Sequence, residues 1–365
     1  MKERLEHLAA EAGVTEPAPG TTQSPAGPPR THGGPDADGV PPWDFSTNAN
    51  ACGPCPQALA RVQAAARRHY PDPTYADLRR RLADWHGVAP HRVLLAASGS
   101  EWILRFAAWC ARRGYGPLWW PVPGYGDYAH AADVWGLVRA PGPAQARAGW
   151  LCDPGSPLGQ PEDAAVAEAL LAAGAPVTLD LAYAPLRLQG EAVLTERQRA
   201  RCWQLYSPNK ALGLTGVRAA YVIAPEEAEP GQLAELQALA PSWPIGADGV
   251  ALLVAWVEPS TQRWLQATHA TLAQWKAALV QMLEARGWEV AASVTPFLCA
   301  RPPQPLDAAA LRARGVKLRD AASLGLPGWW RLSAQPPQAL QALADALDVP
   351  ALAGAPAAAR RRAPR

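Results

Sequence analysis

The sequence lacks the segments that insert proteins into membranes or direct them to secretion. No run approaches the about 18 uninterrupted apolar residues that indicate a membrane-spanning helix. Residues 1–13 contain no apolar stretch preceded by basic residues, which is the pattern of a secretory signal. We therefore expect a cytoplasmic protein with no membrane partner.

Charge of one sign and cysteine are also scarce. The 34 Lys and Arg residues nearly balance the 32 Asp and Glu residues, and Arg360–Arg362 is too short a basic run for a nucleic-acid surface. Six cysteines in 365 residues indicate free thiols in a reducing compartment. Cys52 and Cys55 have thioredoxin-like spacing, but a poor strand precedes them, and no second pair of zinc ligands lies nearby. We therefore predict neither a metal nor a nucleic-acid partner.

The middle of the chain is patterned, whereas its ends are not. Residues 15–30 are rich in Pro, Gly, Ser and Thr, so we predict a flexible segment over 1–30 and a disordered tail over 350–365. Between them, short apolar runs alternate with helical patterns, which is typical of an α/β fold with a mostly parallel sheet flanked by helices. The predicted strands are 92–97, 116–121, 149–153, 176–180, 202–207 and 218–224, and the predicted helices include 56–69, 74–87 and 161–174.

A second domain is indicated after residue 240. A long helical pattern over 246–287 leads into short strands and helices. We therefore predict a large domain over 56–240 and a smaller α/β C-terminal domain over 241–349. Residues 31–55 would be an arm that contributes to the small domain and to the functional site.

The chemistry is concentrated after the predicted strand at 202–207. Lys210 follows this strand and precedes a glycine-rich loop that ends in Arg218. A lysine with a lowered pKa can form an imine with a carbonyl group, and an arginine can form a bidentate pair of hydrogen bonds with a phosphate. Ser207 adds a hydroxyl for the same phosphate. Taken alone, this pattern also suits a lysine and an arginine in a surface loop.

Two other strand ends complete the pattern. Asp180 ends a buried strand, where a carboxylate requires a cationic partner such as a protonated pyridine nitrogen. Tyr183 lies three residues later and could donate to a phenolic oxygen. Gly99 and Ser100 lie where a helix begins, so their N–H groups and hydroxyl suit a phosphate, or equally an ordinary helix cap. Together these residues indicate pyridoxal 5′-phosphate (PLP).

The order of these motifs resembles the fold-type-I PLP enzymes of the aspartate aminotransferase superfamily. Residues 44–54, DFSTNANACGP, and residues 69–88, HYPDPTYADLRRRLADWHGV, are similar to segments of its histidinol-phosphate aminotransferase and threonine-phosphate decarboxylase branch. The resemblance runs from about His32 to about Leu347. It implies a PLP enzyme that acts on an amino acid or an amino-acid phosphate.

The resemblance implies a role for each matching residue. Lys210 would carry PLP as a Schiff base, with Asp180 and Tyr183 as the other catalytic residues. Tyr70 would reach the cofactor of a neighbouring subunit, which implies a homodimer. Arg331 would bind a substrate carboxylate. The cofactor-binding residues that it implies are Gly99, Ser100, Tyr125, Ser156, Ser207, Arg218 and Tyr70.

The chain also departs from the family pattern. Ser156 stands where an asparagine is usual, Leu181 replaces a glutamate, and Pro296 replaces an expected asparagine. These departures leave a non-catalytic PLP-binding protein as one alternative.

The motifs leave the reaction open, because few residues decide which bond at the substrate Cα breaks. His32 and the two glycines after it resemble the opening of threonine-phosphate decarboxylases of cobalamin biosynthesis, where they could grip a substrate phosphate. This favours a decarboxylase as the first hypothesis, although the segment also suits a flexible loop. The alternative is an aminotransferase similar to histidinol-phosphate aminotransferase.

Overall fold

The computed structural model describes residues 32–348. Residues 33–348 belong to one compact unit. The flexible segment predicted over 1–30, the tail over 350–365 and Arg360–Arg362 lie outside the described residues. The domain boundaries at 240 and 241 stay predictions.

A six-stranded mixed sheet forms the centre of the fold. Its strands are β2 (Val93–Ala96), β3 (Leu118–Trp119), β4 (Ala148–Cys152), β5 (Val177–Asp180), β6 (Trp203–Tyr206) and β7 (Ala220–Ile223). Their order across the sheet is β2-β7-β6-β5-β4-β3. The pairs β3–β4, β4–β5 and β5–β6 are parallel, whereas β7 runs antiparallel to both of its neighbours. The prediction of a mostly parallel α/β sheet is confirmed, and each predicted strand of this region is present. A short strand of the arm, β1 (Trp43–Asp44), comes before these strands in the chain and lies outside this sheet.

Helices cover both faces of this sheet. The helices are α1 (Pro56–Gln63), α2 (Ala76–His86), α3 (Gly99–Arg113), α4 (Gly126–Val134), α5 (Ala164–Ala172), α6 (Glu196–Arg199), α7 (Pro230–Ala238), α8 (Ala247–Trp256), α9 (Pro259–Glu284), α10 (Ala308–Ala313) and α11 (Pro337–Asp348). Alternate residues of β2 point to opposite faces, so Val93 and Leu95 join a core with α1, α2 and α8, while Leu94 and Ala96 join a core with α3 and α4.

Two helices differ from their predicted extents. The helix expected over 56–69 ends at Gln63, where the Arg67 guanidinium donates to the carbonyls of Val62 and Gln63. The helical pattern over 246–287 is two helices, because Pro259 has no N–H group and cannot continue the turn before it.

A second, antiparallel sheet lies toward the C-terminus. Its order is β11-β12-β9-β8, and β1 of the arm pairs separately with β10. Helix α9 connects the cores, since Leu265 and Leu272 pack with the central sheet while Leu279 and Leu283 pack with the second sheet. Within residues 32–348, no helix is long and apolar enough to cross a membrane. The remaining strands are β8 (Glu289–Val290), β9 (Phe297–Arg301), β10 (Val316–Lys317), β11 (Arg319–Asp320) and β12 (Trp330–Ser333).

Candidate active site

Lys210 lies in the loop that follows β6, as the sequence predicts. The loop folds back on itself because the Asn209 amide donates to the carbonyls of Thr215 and Val217, at 3.3 and 3.4 Å. Burial lowers the pKa of Lys210, and the nearby Asp180 carboxylate partly offsets this effect. The Lys210 amine lies 5.6 Å from the centre of the Tyr183 ring. The loop therefore holds an amine that loses its proton more readily than an exposed lysine.

Asp180 lies at the carboxyl end of β5 and is only 6% exposed. The Tyr128 hydroxyl donates to its Oδ2 at 2.8 Å, and the backbone N–H of Ala182 donates to its Oδ1 at 2.9 Å. Burial raises the pKa of Asp180, while these two donors and the charge of Lys210 favour the ionised form. A positively charged ring nitrogen placed beside this carboxylate would supply a partner in the buried site.

The amino terminus of α3 forms a second part of the site. Ser98 caps this helix by accepting a hydrogen bond from the Glu101 N–H, which leaves Gly99 and Ser100 in the first turn. A Cβ atom added to Gly99 would lie 3.8 Å from Ser207 Oγ, and the Ser100 hydroxyl is 3.0 Å from the Tyr125 hydroxyl. A helix N-terminus with hydroxyl groups beside it is suited to bind phosphate. The structure therefore brings four of the predicted phosphate-end and ring residues together.

The arm packs against the Lys210 loop. The N–H of Asn50 donates to the carbonyl of Lys210 at 2.9 Å, and the N–H of Cys55 donates to the carbonyl of Leu212 at 2.9 Å. Gly213 has a φ of +65°, and a Cβ atom there would lie 2.9 Å from Gly53 Cα. The CxxC segment is therefore a close-packed turn. Burial raises the pKa of Cys52, so this thiol forms the reactive thiolate less readily than an exposed cysteine.

Arg331 lies on β12 and is 8% exposed. Its Nη1 donates to Ser156 Oγ at 3.4 Å, and its Nη2 donates to the carbonyl of Ser46 at 2.9 Å. Its Nε is buried and has no hydrogen-bond partner among residues 32–348. Burial lowers the pKa of Lys210, and the charge of Arg331 lowers it further. At Tyr183 burial raises the pKa, and the charge of Arg331 offsets part of this increase. The predicted substrate residue therefore lies close to the predicted catalytic residues.

Arg319 is a site residue that the sequence reasoning missed. It lies directly opposite Arg331 across the β11–β12 pair and is 5% exposed. Directly opposite residues of an antiparallel pair project to the same face, so two guanidinium groups lie side by side. The Arg319 guanidinium donates to Ser323 Oγ at 2.8 Å. Burial lowers the pKa of Arg319, and the charge of Arg331 lowers it further. A single arginine in an irregular segment gives no sequence signal that it faces another one.

Tyr128 is a second residue that the sequence reasoning missed. It is fully buried and lies three residues after Tyr125, one turn along the same segment of α4. This spacing was the available signal, although the sequence-based predictions include no helix over 126–134.

Arg218 and Tyr70 together line a surface cavity of about 560 Å³. Tyr70 is 78% exposed, and its ring stacks on Trp243 at 4.5 Å. Burial is the main cause of the lowered pKa of Lys210, and the charge of Arg218 lowers it further.

The loop after His32 packs against the arm. Gly34 N–H donates to Ser46 Oγ at 2.8 Å, and a Cβ atom on Gly33 would lie 2.1 Å from the Ser46 carbonyl oxygen. Arg331 donates to that same carbonyl, so Ser46 contacts both the glycine turn and the predicted substrate arginine. His32 itself is exposed.

The residues present fit PLP. A buried carboxylate, a buried amine of lowered pKa and a helix N-terminus with two serines provide partners for a ring nitrogen, an aldehyde and a phosphate. In the part of the chain that the structure describes, Asn48 also has a buried Oδ1 without a partner next to its 3.5 Å contact with the Tyr183 hydroxyl. Such an atom can accept from a bound group.

Known proteins are similar to this chain over most of its length. A histidinol-phosphate aminotransferase from Rhizobium meliloti (strain 1021) is 29% identical over 335 residues, which cover 83% of this chain and 91% of that protein. One from Pseudomonas putida (strain W619) is 28% identical over 327 residues, which cover 83% of this chain and 92% of that protein. The chain is therefore similar to these aminotransferases over most of their length.

Solved structures share the fold. A histidinol-phosphate aminotransferase from Sinorhizobium meliloti in complex with pyridoxal-5′-phosphate superposes with a TM-score of 0.67 at 21% identity, covering 83% of this chain and 89% of that one. An L-threonine-O-3-phosphate decarboxylase from Porphyromonas gingivalis superposes with a TM-score of 0.68 at 21% identity, covering 83% and 97%. The predicted fold class is confirmed by these likenesses.

The family follows from the sequence match. A sequence model of the aminotransferase class I and II family matches residues 144–347, more than half of the chain. The matched range contains Ser156, Asp180, Lys210 and Arg331. The chain therefore belongs to the aminotransferase class I and II family, the PLP-dependent enzymes that the sequence resemblance predicted.

Proposed function

We propose that this protein is an aminotransferase similar to histidinol-phosphate aminotransferase, acting on a small amino compound that carries a phosphate or a carboxylate. The pair of buried guanidinium groups of Arg319 and Arg331 carries this proposal. Buried guanidinium groups favour an anionic substrate, because they bind phosphate and carboxylate through paired hydrogen bonds. The sequence relatives support the same reading, since they are histidinol-phosphate aminotransferases.

Each predicted site residue has a part in this proposal. Lys210 would hold PLP, Asp180 would pair with its ring nitrogen, and Tyr183 would contact its phenolic oxygen. Ser156 would also lie near this oxygen, although its hydroxyl is shorter than the usual asparagine. The residues proposed for the phosphate end and the ring face are Gly99, Ser100, Ser207, Arg218 and Tyr125.

The lysine would also move the proton. PLP, when bound, withdraws electrons from the bond that breaks at the substrate Cα. Lys210 has a pKa lowered by burial, so a larger fraction of it is neutral near pH 7 than of an exposed lysine. A neutral amine can take a proton from Cα and return it to the carbon on the other side of the substrate nitrogen, which is the transfer that transamination requires. Arg331 and Arg319 would orient the substrate through its anionic group.

Decarboxylation of a phosphorylated amino acid, as in cobalamin biosynthesis, is the second candidate function. The packing of the Gly33–Gly34 turn on Ser46, the residue whose carbonyl binds Arg331, favours it. In that case His32 would bind a substrate phosphate and Arg331 a carboxylate. The likeness to the threonine-phosphate decarboxylase is one of fold alone, so the aminotransferase is the better supported of the two.

We further propose a homodimer in the cytoplasm. The high exposure of Tyr70 and its stacking on Trp243 support a contact with a second subunit, in which Tyr70 would reach that subunit's cofactor. The six cysteines are all unpaired thiols, which supports a reducing compartment.

Single-turnover reactions of the holoenzyme discriminate between the functions. Glutamate or histidinol phosphate should convert the lysine-linked cofactor to its amino form, which is followed by absorbance, without release of carbon dioxide. Carbon dioxide released from O-phosphothreonine would favour the decarboxylase instead. A protein that binds PLP and responds to none of these compounds would contradict both enzymatic proposals.

Variants of the arginine pair test how the substrate binds. Arg331→Gln and Arg319→Gln each remove a charged hydrogen-bond donor, worth about 1.5–3 kcal/mol, so kcat/KM should fall by roughly 10- to 150-fold. Arg301→Gln is the matched control, because Arg301 lies on neighbouring β9 but is exposed and pairs with Glu289. Equal losses in all three variants would show that the pair does not bind the substrate.

A further inference from the structure

A second cavity of about 560 Å³ lies between α9 and the segment that precedes β9. It shares no lining residue with the proposed active site. Leu188, Val280, Val290 and Leu298 form an apolar wall, and Lys276 is the cation that lines it. The volume is in the range of small-molecule sites, about 300–1,000 Å³.

Lys276 is partly buried and lacks a counter-ion. Its Nζ donates to the carbonyl oxygen of Ser293, and no carboxylate of residues 32–348 lies within ion-pairing distance of it. Burial alone lowers the pKa of Lys276 to about 8. The amine is therefore still mostly protonated at pH 7, and a buried cation without an anion is unfavourable.

The other lysines differ from Lys276. The whole chain contains four lysines, of which Lys2 lies outside the described residues. Lys317 forms an ion pair with Asp36 at 2.8 Å, and Lys210 faces the charge of Asp180. Lys276 is thus the lysine within residues 32–348 that an external anion would complete.

We propose that this cavity binds a small apolar monocarboxylate, whose carboxylate pairs with Lys276 and whose hydrocarbon part lies against Leu188 and Val280. The single cation sets the charge of the ligand at one. Glu284 lines the same cavity two helical turns further along α9, so its negative charge opposes a second anionic group on the ligand. The apolar wall then excludes small, fully hydrated anions such as inorganic phosphate.

The cavity is connected to the active site by a short path of hydrogen bonds. Ser293, whose carbonyl binds Lys276, donates through its hydroxyl to the carbonyl of Phe297 at 2.5 Å, and this hydroxyl lies 3.3 Å from the carbonyl oxygen of Gly159. The N–H of Val294 donates to the same carbonyl at 2.7 Å. Gly159 ends the turn that carries Ser156, the residue in contact with Arg331. A ligand that replaces Ser293 as the partner of Lys276 would therefore act on the support of this turn.

Calorimetric titration of the holoenzyme at pH 7 tests the site, with hexanoate as the probe and hexanamide as its uncharged counterpart. Hexanoate should bind at least about tenfold more tightly than hexanamide, a difference of about 1.4 kcal/mol. Lys276→Met should reduce the hexanoate affinity to that of hexanamide, whereas Lys276→Arg should retain the charge and the preference. Thermal unfolding of both variants shows that each is folded.

Two controls separate this cavity from the active site. Arg331→Gln should retain the hexanoate binding that Lys276→Met removes, and Glu284→Gln should leave that binding unchanged or strengthen it. Hexanoate binding that survives in Lys276→Met but is lost in Arg331→Gln would place the ligand in the active site and overturn the proposal. Absence of binding to the wild-type holoenzyme at about 10 mM hexanoate would overturn it as well. These measurements require no turnover, so their outcome is independent of the proposed function.

Discussion

The hydroxyl of Tyr128 should control the charge of Asp180, and Tyr128→Phe isolates this contact. The hydroxyl donates to Asp180 Oδ2 at 2.8 Å, and the tyrosine side chain is fully buried. Burial raises the pKa of Tyr128 well above its usual value, so the hydroxyl stays protonated and acts as a donor. Phenylalanine keeps the ring, which stacks on Trp150 at 5.6 Å, and removes only the donor.

The size of the effect follows from the strength of such a bond. A hydrogen bond to a charged group contributes about 1.5–3 kcal/mol to the ionised state of the acceptor. Its loss disfavours the Asp180 carboxylate by that amount, and therefore raises the pKa of Asp180 beyond the increase that burial already causes. This loss corresponds to a rise of about one to two units in that pKa. If the ionised carboxylate is the active form, kcat/KM at pH values below the acid limb should fall by roughly 10- to 150-fold, with a smaller loss at higher pH.

The assay is the pH dependence of kcat/KM for the amino-group donor. Because the pKa of Asp180 rises in the variant, activity on the acid side should be lost at a higher pH than in the wild type. Tyr115→Phe is the control, since the Tyr115 ring packs on Trp109 at 5.3 Å in a different part of the core. An unchanged acid limb, with a rate loss similar to that of the control, would refute the role of Tyr128.

Three further variants test other parts of the structure. Gly99→Ala places a methyl group 3.8 Å from Ser207 Oγ, an ordinary contact, so the stability of the cofactor-free protein should change by less than about 1 kcal/mol while the dissociation constant for PLP rises, as measured by equilibrium dialysis. Gly159→Ala places a methyl group 2.3 Å from Thr295 Oγ1 at a φ of +70°, so urea denaturation should show a loss of about 2 kcal/mol or more; a smaller loss would mean that this turn relaxes freely. His86 has a pKa lowered by burial from 6.5 to about 4, so stability should decrease as the pH falls from 6.5 to 4, by about 2 kcal/mol after allowance for its partial exposure. His86→Phe should remove that part of the pH dependence, and an unchanged acid-side slope would contradict the assignment.

The sequence predicted the parts of the site that depend on single strand ends. Lys210, Asp180 and Gly99 each follow or end a short apolar run, and a parallel sheet places the carboxyl ends of such strands along one edge. The alternation of strands and helices, together with these three positions, was sufficient to predict the fold class and the cofactor. Helix ends were less predictable, because a contact such as that of Arg67 with the carbonyl of Gln63 depends on a side chain beyond the helix.

Only the tertiary structure placed residues that meet across distant segments. Tyr128 reaches Asp180 from 52 positions away, and Arg319 faces Arg331 only because β11 and β12 pair in one register. The Lys276 cavity likewise depends on how α9 lies against the segment before β9. Spacing along a sequence specifies which faces of a strand or helix are apolar, so it determined the sheet and the lysine site. It does not specify the orientation between elements, and this orientation decided which charges lie together and which anions the protein can hold.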